Sequence, residues 1–328
     1  MWRGLVAAAV TKTTSSYGGA MRLVLMTEPQ LGGTYDDLLF AAQTAERAGL
    51  HGFSRSDHYY WSGEPGLPAT DAFTTLGGLA RETKRARLTV LVSPITFRHP
   101  AVIAKAAASI DEMSGGRFDL GVGTGWMETE HTAFGLPFPE RKERFSRLEE
   151  SLQYLRAAFT GGTFAGKFYT FNADARPRPS GISLIVGGQG PEKTPTLAGR
   201  FADEYNHFAI APDQLAKKIE VMKGAASAAG RSPDEIRVSV MGPAMLAPSE
   251  ARLSELMNRA AAFRNITVNE LEERWDSSLT PYGTADKVLD RFAGLAAVGV
   301  TKYYLQWFDL SDRAAVEEQV ELAAGLKL

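Results

Sequence analysis

The sequence has no cysteine. That removes disulfides, thiolate zinc sites, iron–sulfur clusters and cysteine nucleophiles together, and it suits a cytoplasmic protein. Neither sign of charge is in surplus: Lys plus Arg is 36 and Asp plus Glu is 38, a formal net charge of −2. A nucleic-acid or membrane-surface binder would carry a basic excess or patch, so neither partner is expected. No apolar run approaches the roughly 18 residues that suggest a membrane span. Proline is sparse, at 16 against 32 glycines. The glycines follow no collagen-like period, so they serve turns and close backbone approaches. What remains, 44% hydrophobic and 23% charged, is ordinary globular composition. A chain of 328 residues fits one α/β barrel, which folds as a unit at about 250 residues or more.

The first twenty residues stand apart. Trp2 and Arg3 precede a six-residue apolar stretch at 5–10 and a polar run at 11–16. A secretory signal needs about 7–15 apolar residues followed by a small-residue cleavage site, whereas Ala7, Ala8 and Ala9 lie inside the stretch. We read residues 1–20 as a disordered extension, or translation from an upstream start, with Met21 as the functional beginning. An export signal is the lesser reading. Residues 21–328 then form a single domain.

From Met21 onward, short β-rich runs alternate with amphipathic ones. Strands are expected at 22–27, 52–56, 88–92, 118–122, 183–186, 204–207, 237–241 and 302–306. Helices are expected at 35–48, 71–83, 101–113, 140–159, 192–201, 212–229, 249–263, 268–275, 284–298 and 313–324. Thr34 and Gly49 bracket the first helix as caps. Residues 161–180 break the rhythm and read as an excursion, partly a hairpin around 163–171. Strands that alternate with helices pair in parallel. Eight such units predict a (β/α)8 TIM-like barrel with an insertion after the fourth βα unit. The rival, a doubly wound open sheet, would show a G-x-G-x-x-G turn after its first strand, and Glu28-Pro29-Gln30-Leu31-Gly32-Gly33 is not one.

In a barrel the active site lies in the loops after the strands. Four of the five histidines fall at that face; His51 precedes the second strand and belongs at the other end. Asp57-His58 after strand two is the sharpest pair, because a His beside polar groups can exchange a proton near neutral pH. The bland alternative is a loop His beside a helix-capping Asp. Tyr59-Tyr60-Trp61 behind it would suit a flat ring ligand. Gly187-Gly188-Gln189-Gly190, between a strand and a helix, offers backbone N–H groups to a phosphate. Glu192 stands where a P-loop needs glycine, which argues against a nucleoside triphosphate; a plain tight turn is the alternative. Gly121-Val122-Gly123-Thr124-Gly125-Trp126 has the wrong spacing for a dinucleotide fingerprint, and its glycines read as room for something flat over strand four. Glu128-Thr129-Glu130-His131 lies among packing residues. No metal site and no G-x-S-x-G hydrolase elbow is read.

Several stretches together resemble the luciferase-like flavin- and deazaflavin-dependent oxidoreductases. They are Thr27-Glu28-Pro29-Gln30, Arg55-Ser56-Asp57-His58-Tyr59, Thr96-Phe97-Arg98-His99-Pro100, Ser114-Gly115-Gly116-Arg117, Gly121-x-Gly123-Thr124-Gly125-Trp126, Glu130-His131-x-x-Phe134-Gly135 and Ile185-Val186-Gly187-Gly188-Gln189-Gly190. The S-D-H and G-T-G-W motifs resemble the branch that uses coenzyme F420 more than the branch that uses reduced FMN. The resemblance implies a TIM-like barrel with a cofactor at the strand ends and His58 as proton-transfer residue. It implies cofactor contacts from Asp57, Ser93, Thr124, Gly125, Trp126, Glu130, His131, Gly187, Gly188 and Gly190. A non-prolyl cis peptide within 91–93 is implied as well. Some sugar-phosphate dehydrogenases of the family carry Glu where Trp126 stands, which puts their acid–base arrangement, and sugar phosphate with it, in doubt.

The expected function is hydride transfer between coenzyme F420 and a small organic substrate, in a cytoplasmic homodimer. The rivals are a two-component monooxygenase using reduced FMN and oxygen, and a non-catalytic flavin-binding protein of the same fold.

Overall fold

Eight strands pair side by side in chain order and close on themselves: β1 Arg22–Thr27, β2 Gly52–Arg55, β3 Arg87–Pro94, β4 Phe118–Gly123, β5 Ser183–Gly187, β6 Glu204–Phe208, β7 Arg237–Pro243 and β8 Val300–Trp307. This is a computed structural model, and it describes residues 21–61, 67 and 69–328. The reading of residues 1–20 lies outside the described residues. Every barrel pairing is parallel, with β1 closing onto β8 from Arg22 opposite Lys302 to Thr27 opposite Trp307. Strands buried on both faces read as near-continuous apolar runs; all six residues of β4 are buried.

The helices between them are α1 Tyr35–Ala48, α2 Ala72–Glu82, α3 Pro100–Ser114, α4 Glu128–Ala133, α5 Arg141–Thr160, α6 Lys193–Phe201, α7 Pro212–Ala228, α8 Glu250–Phe263, α9 Val268–Ser277, α10 Ala285–Ala297 and α11 Arg313–Ala324. Their ends follow local chemistry. Thr34 and Asp37 form a reciprocal capping box on α1, and Gly49 ends it in the left-handed region at φ 85°. Pro100 opens α3 and Gly115 closes it. Helix α4 was not expected from the sequence, and it carries Glu130 and His131.

Two excursions leave the barrel. Between α5 and β5, Phe164–Ala165 pairs antiparallel with Thr170–Phe171, where the hairpin was expected. Between β7 and β8, Met245–Leu246 pairs with Tyr282–Gly283, and α8 and α9 pack on a separate apolar cluster around Met257, Leu271 and Trp275. The helices of this second excursion match the sequence reading, but its strand pair does not appear there. The main core lies between barrel and helices. Inside the barrel, Val24, Met26, Leu91, Ile185, Met241 and Tyr304 form a plug beneath the mouth. Among the described residues, no helix is long and apolar enough to cross a membrane.

Candidate active site

The C-terminal ends of the strands open into a cleft of about 550 Å3, within the range of small-ligand sites. Of the expected site residues, His58, Thr124, Gly125, Trp126, Glu130, His131, Gly187 and Gly188 line it. Asp57, Ser93 and Gly190 do not. The reason is alternation at a strand exit, where consecutive side chains point to opposite sides. Asp57, 1% exposed, turns away from the cleft. It accepts hydrogen bonds from Ser93 Oγ at 2.7 Å and from Arg98, whose guanidinium also binds Asp71. Asp57 and Ser93 therefore brace the wall from behind. Gly190 lies against Thr194 in the first turn of α6.

The partner of His58 is Glu130, not Asp57. His58 Nδ1 lies 2.9 Å from Glu130 Oε2, across 72 positions of sequence. The other carboxylate oxygen accepts the backbone N–H groups of Tyr59 and Tyr60. Burial works against the imidazolium, but the Glu130 hydrogen bond and charge, with Glu28 and Asp57 more weakly, outweigh it and raise the His58 pKa above its usual 6.5. With Nδ1 engaged, Nε2 is the nitrogen available to a ligand. The indole of Trp126 stands edge-on to the imidazole at 5.8 Å between centroids.

The other histidines correct the sequence reading. His131 lines the cleft, but Thr96 Oγ1 and the Met127 carbonyl take both its nitrogens at 2.7 Å, so it anchors α4. His99 caps α3 and packs edge-on to Tyr154 and Tyr169. His207 is buried, which lowers its pKa. His51, at the opposite end as expected, falls to about 4 through burial and the cations Lys302 and Arg22. Of the aromatic run, Trp61 lines the cleft, whereas Tyr59 stacks on Phe97 with centroids 4.6 Å apart.

The glycines of β4 make room for protein. A Cβ on Gly121, Gly123 or Gly187 would fall 2.9, 2.9 or 2.7 Å from a methyl of Val92. Val92 follows a cis peptide after Leu91, within the expected 91–93 segment, where the β3–β4 register shifts. Its side chain, with Leu91, forms an apolar back wall. Gly188, at φ 152°, lines the cleft shortly before the start of α6. The helix has no side-chain N-cap bond, and Pro195 at its third position has no N–H, so the N–H groups of Lys193 and Thr194 are those available to an anion.

A polar floor was not assigned from the sequence. Ser56 Oγ donates to Gln30 Oε1, and Gln30 Nε2 donates to Glu28 Oε2, each at 2.8 Å; Gln306 Nε2 donates to Glu28 Oε1. The placement of these residues just after β1, after β2 and near the end of β8 was the signal. Phe263 from α8 and Phe308 complete the rim. They come from the second excursion and from beyond β8, so no local pattern announces them.

A closed parallel barrel with a titratable pair and a glycine turn at its C-terminal mouth is the architecture of a small-ligand barrel enzyme. The chain belongs to the family described as luciferase-like monooxygenase, whose model matches residues 21–302. It is 38% identical over 174 residues to the F420-dependent glucose-6-phosphate dehydrogenase of Nakamurella multipartita, covering 52% of this chain and 51% of that one. The enzyme of the same name from Mycolicibacterium gilvum is 31% identical over 284 residues, covering 77% and 84%. The chain thus spans about half the length of the first of these relatives. An F420-dependent secondary alcohol dehydrogenase, solved with an F420–acetone adduct, superposes with a TM-score of 0.77 at 18% identity, covering 94% of this chain and 98% of that one. That last likeness is one of fold.

Proposed function

We propose that the protein is an oxidoreductase that moves a hydride between coenzyme F420 and a small organic substrate, with His58 as its proton-transfer residue. The observation that carries this reading is the His58–Glu130 pair, built from two distant segments and facing a cleft with a glycine turn on its other side. The residues present fit the cofactor. A Cβ at Gly125 would meet Thr96 Oγ1 at 2.8 Å and one at Gly188 would meet Thr194 at 3.3 Å, so these glycines let the backbone pack closely at the mouth, and the start of α6, with no side-chain cap, leaves N–H groups for a phosphate. The N–H groups opening α6 would hold the phosphate, beside Gly187 and Gly188, the latter's own N–H being donated to the Asn206 carbonyl at 3.3 Å. Leu91 and Val92 would back the ring, with Thr124, Gly125 and Trp126 beside it.

When bound, the deazaflavin supplies a carbon that accepts or gives a hydride. The protein supplies the rest. His58 Nε2 takes the proton from a substrate hydroxyl in oxidation, or returns it in reduction. Glu130 holds the imidazole in place and stabilises its charged form. Asp57, Ser93 and Arg98 fix the strand-two exit that carries His58. The relatives named as F420-dependent dehydrogenases support the cofactor assignment.

Titration with coenzyme F420 and with FMN, following absorbance and quenching, tests the cofactor. F420 should bind at least about tenfold more tightly, a difference of about 1.4 kcal/mol. The reverse order would replace this reading with a monooxygenase using reduced FMN. Changing His58 to Ala should lower turnover by roughly 10²–10⁴ with a smaller effect on cofactor affinity. The reading includes a cytoplasmic homodimer: zero cysteine suits a reducing compartment. Sedimentation velocity of the purified chain tests the dimer.

A further inference from the structure

We infer that the substrate is an uncharged molecule with an apolar body and a hydroxyl or carbonyl group, and not a sugar phosphate. This rests on the oxidoreductase reading above and adds the substrate class to it. The walls of the cleft are aromatic and sulfur-bearing: Trp61, Trp126, Phe208, Phe263, Phe308 and Met241. Trp126 and Phe263 are 65% and 66% exposed, an apolar rim of the sort that a ligand covers.

Among the described residues, no Lys or Arg lines the cleft. The nearby cations each have another contact, and Lys193, which opens α6, lies over the Phe145 ring at 5.2 Å. Arg98 binds Asp57 and Asp71. Arg55 donates to Thr70 and Thr75. Lys218 donates to the carbonyls of Gln189 and Gly190. Arg264 packs against Phe263 and Phe308 and donates to the Ala260 carbonyl at 3.0 Å.

A phosphate dianion needs a guanidinium, an ammonium or a nest of N–H groups. The nest at the glycine turn is taken by the cofactor's own phosphate in this reading. A second anion would meet the Glu28 carboxylate, 7% exposed, held by two amides and in no ion pair among the described residues. The charge of His58 is already matched by Glu130. Like charge without a counter-ion in a partly desolvated cleft is strongly unfavourable. A neutral hydroxyl or carbonyl instead finds His58 Nε2, and the rings take its apolar body.

Calorimetric titration of the F420-loaded full-length protein tests this with a matched pair, 1-phenylethanol and mandelate, in which a methyl becomes a carboxylate. Cyclohexanol and glucose 6-phosphate extend the two classes. The neutral compounds should saturate, mandelate should bind at least about tenfold more weakly than 1-phenylethanol, and glucose 6-phosphate should not saturate. Changing Glu28 to Gln should narrow the gap between 1-phenylethanol and mandelate. Saturation by glucose 6-phosphate, tighter binding of mandelate, or no saturation by either neutral compound would overturn the inference. Quenching of F420 fluorescence on loading is measured first. Its absence overturns the cofactor reading alone, and the same titrations on the unloaded protein then decide the charge preference.

Discussion

Replacing Glu130 with Gln tests whether the carboxylate governs the proton on His58. Glu130 is 1% exposed and holds three donors: His58 Nδ1 and the backbone N–H groups of Tyr59 and Tyr60. Glutamine keeps the size and one carbonyl oxygen, so the two backbone bonds can persist. The other end becomes a donor. In the native pair the carboxylate keeps the proton of the neutral ring on Nδ1, so Nε2 is a free acceptor toward the cleft. The amide reverses this by donating to Nδ1, which places the ring proton on Nε2. The His58 pKa, raised above 6.5 chiefly by Glu130 in the native protein, should then fall, because burial, the largest influence, is opposed only by the weaker charges of Glu28 and Asp57. Loss of one charge-assisted bond costs about 1.5–3 kcal/mol. A group with a raised folded pKa stabilises the fold fully below its unfolded pKa and loses that contribution as pH rises through the folded value. The stability deficit of the variant should therefore be largest below pH 6.5 and shrink above it. Turnover should fall by roughly 10²–10⁴. Long-range proton–nitrogen spectra of the histidine rings report tautomer and titration together. A variant in which His58 keeps its tautomer and titrates as in the native protein would refute the reasoning, whatever its turnover.

Three further changes test the surroundings. Gly188→Asp places bulk and negative charge at the cofactor turn, at a φ of 152° that side chains rarely adopt; cofactor affinity should fall at least about tenfold, as read by F420 quenching, with native circular dichroism retained. Arg98→Ala leaves Asp57 buried with Ser93 but without its cation; urea unfolding should show a loss of about 3–5 kcal/mol. Gly121→Ala brings a Cβ to 2.5 Å from the Val90 carbonyl and 2.9 Å from Val92; the cost should be about 1–3 kcal/mol, seen as a lower Tm without lost secondary structure.

The barrel was legible because its signals are local. A run such as residues 88–92 is β-branched and apolar, and β3 forms there from Arg87 to Pro94. Thr34, His99-Pro100 and Gly115 cap their helices within a few residues of where the apolar periodicity starts and stops. Helix α4 was not legible. Its six residues, Glu128–Ala133, have no apolar face of their own. They are held by long-range bonds, from Glu130 to His58 and from His131 to Thr96, and such pairings leave no trace in a local pattern.

Adjacency in sequence misled at the strand exits for a related reason. Asp57 and His58 are neighbours, which invited a direct pairing, yet the pleat sends one to Arg98 behind the wall and the other to Glu130 at the mouth. On β6 the same alternation puts Asn206 in the cleft, while His207 is buried with its Nε2 unpaired. Counting histidines at the mouth therefore overstated the site, since about half the residues of any strand face the helices. Glycines show the converse. Gly121 and Gly123, two apart on β4, share a face, and that spacing correctly signals a gap. What fills it is Val92, delivered by β3 where its register with β4 shifts. A gap is a property of one strand, but its occupant belongs to the neighbouring strand. The apolar wall behind the cleft thus follows from a pairing between strands, and the glycine pattern alone could not distinguish a side chain from a ligand.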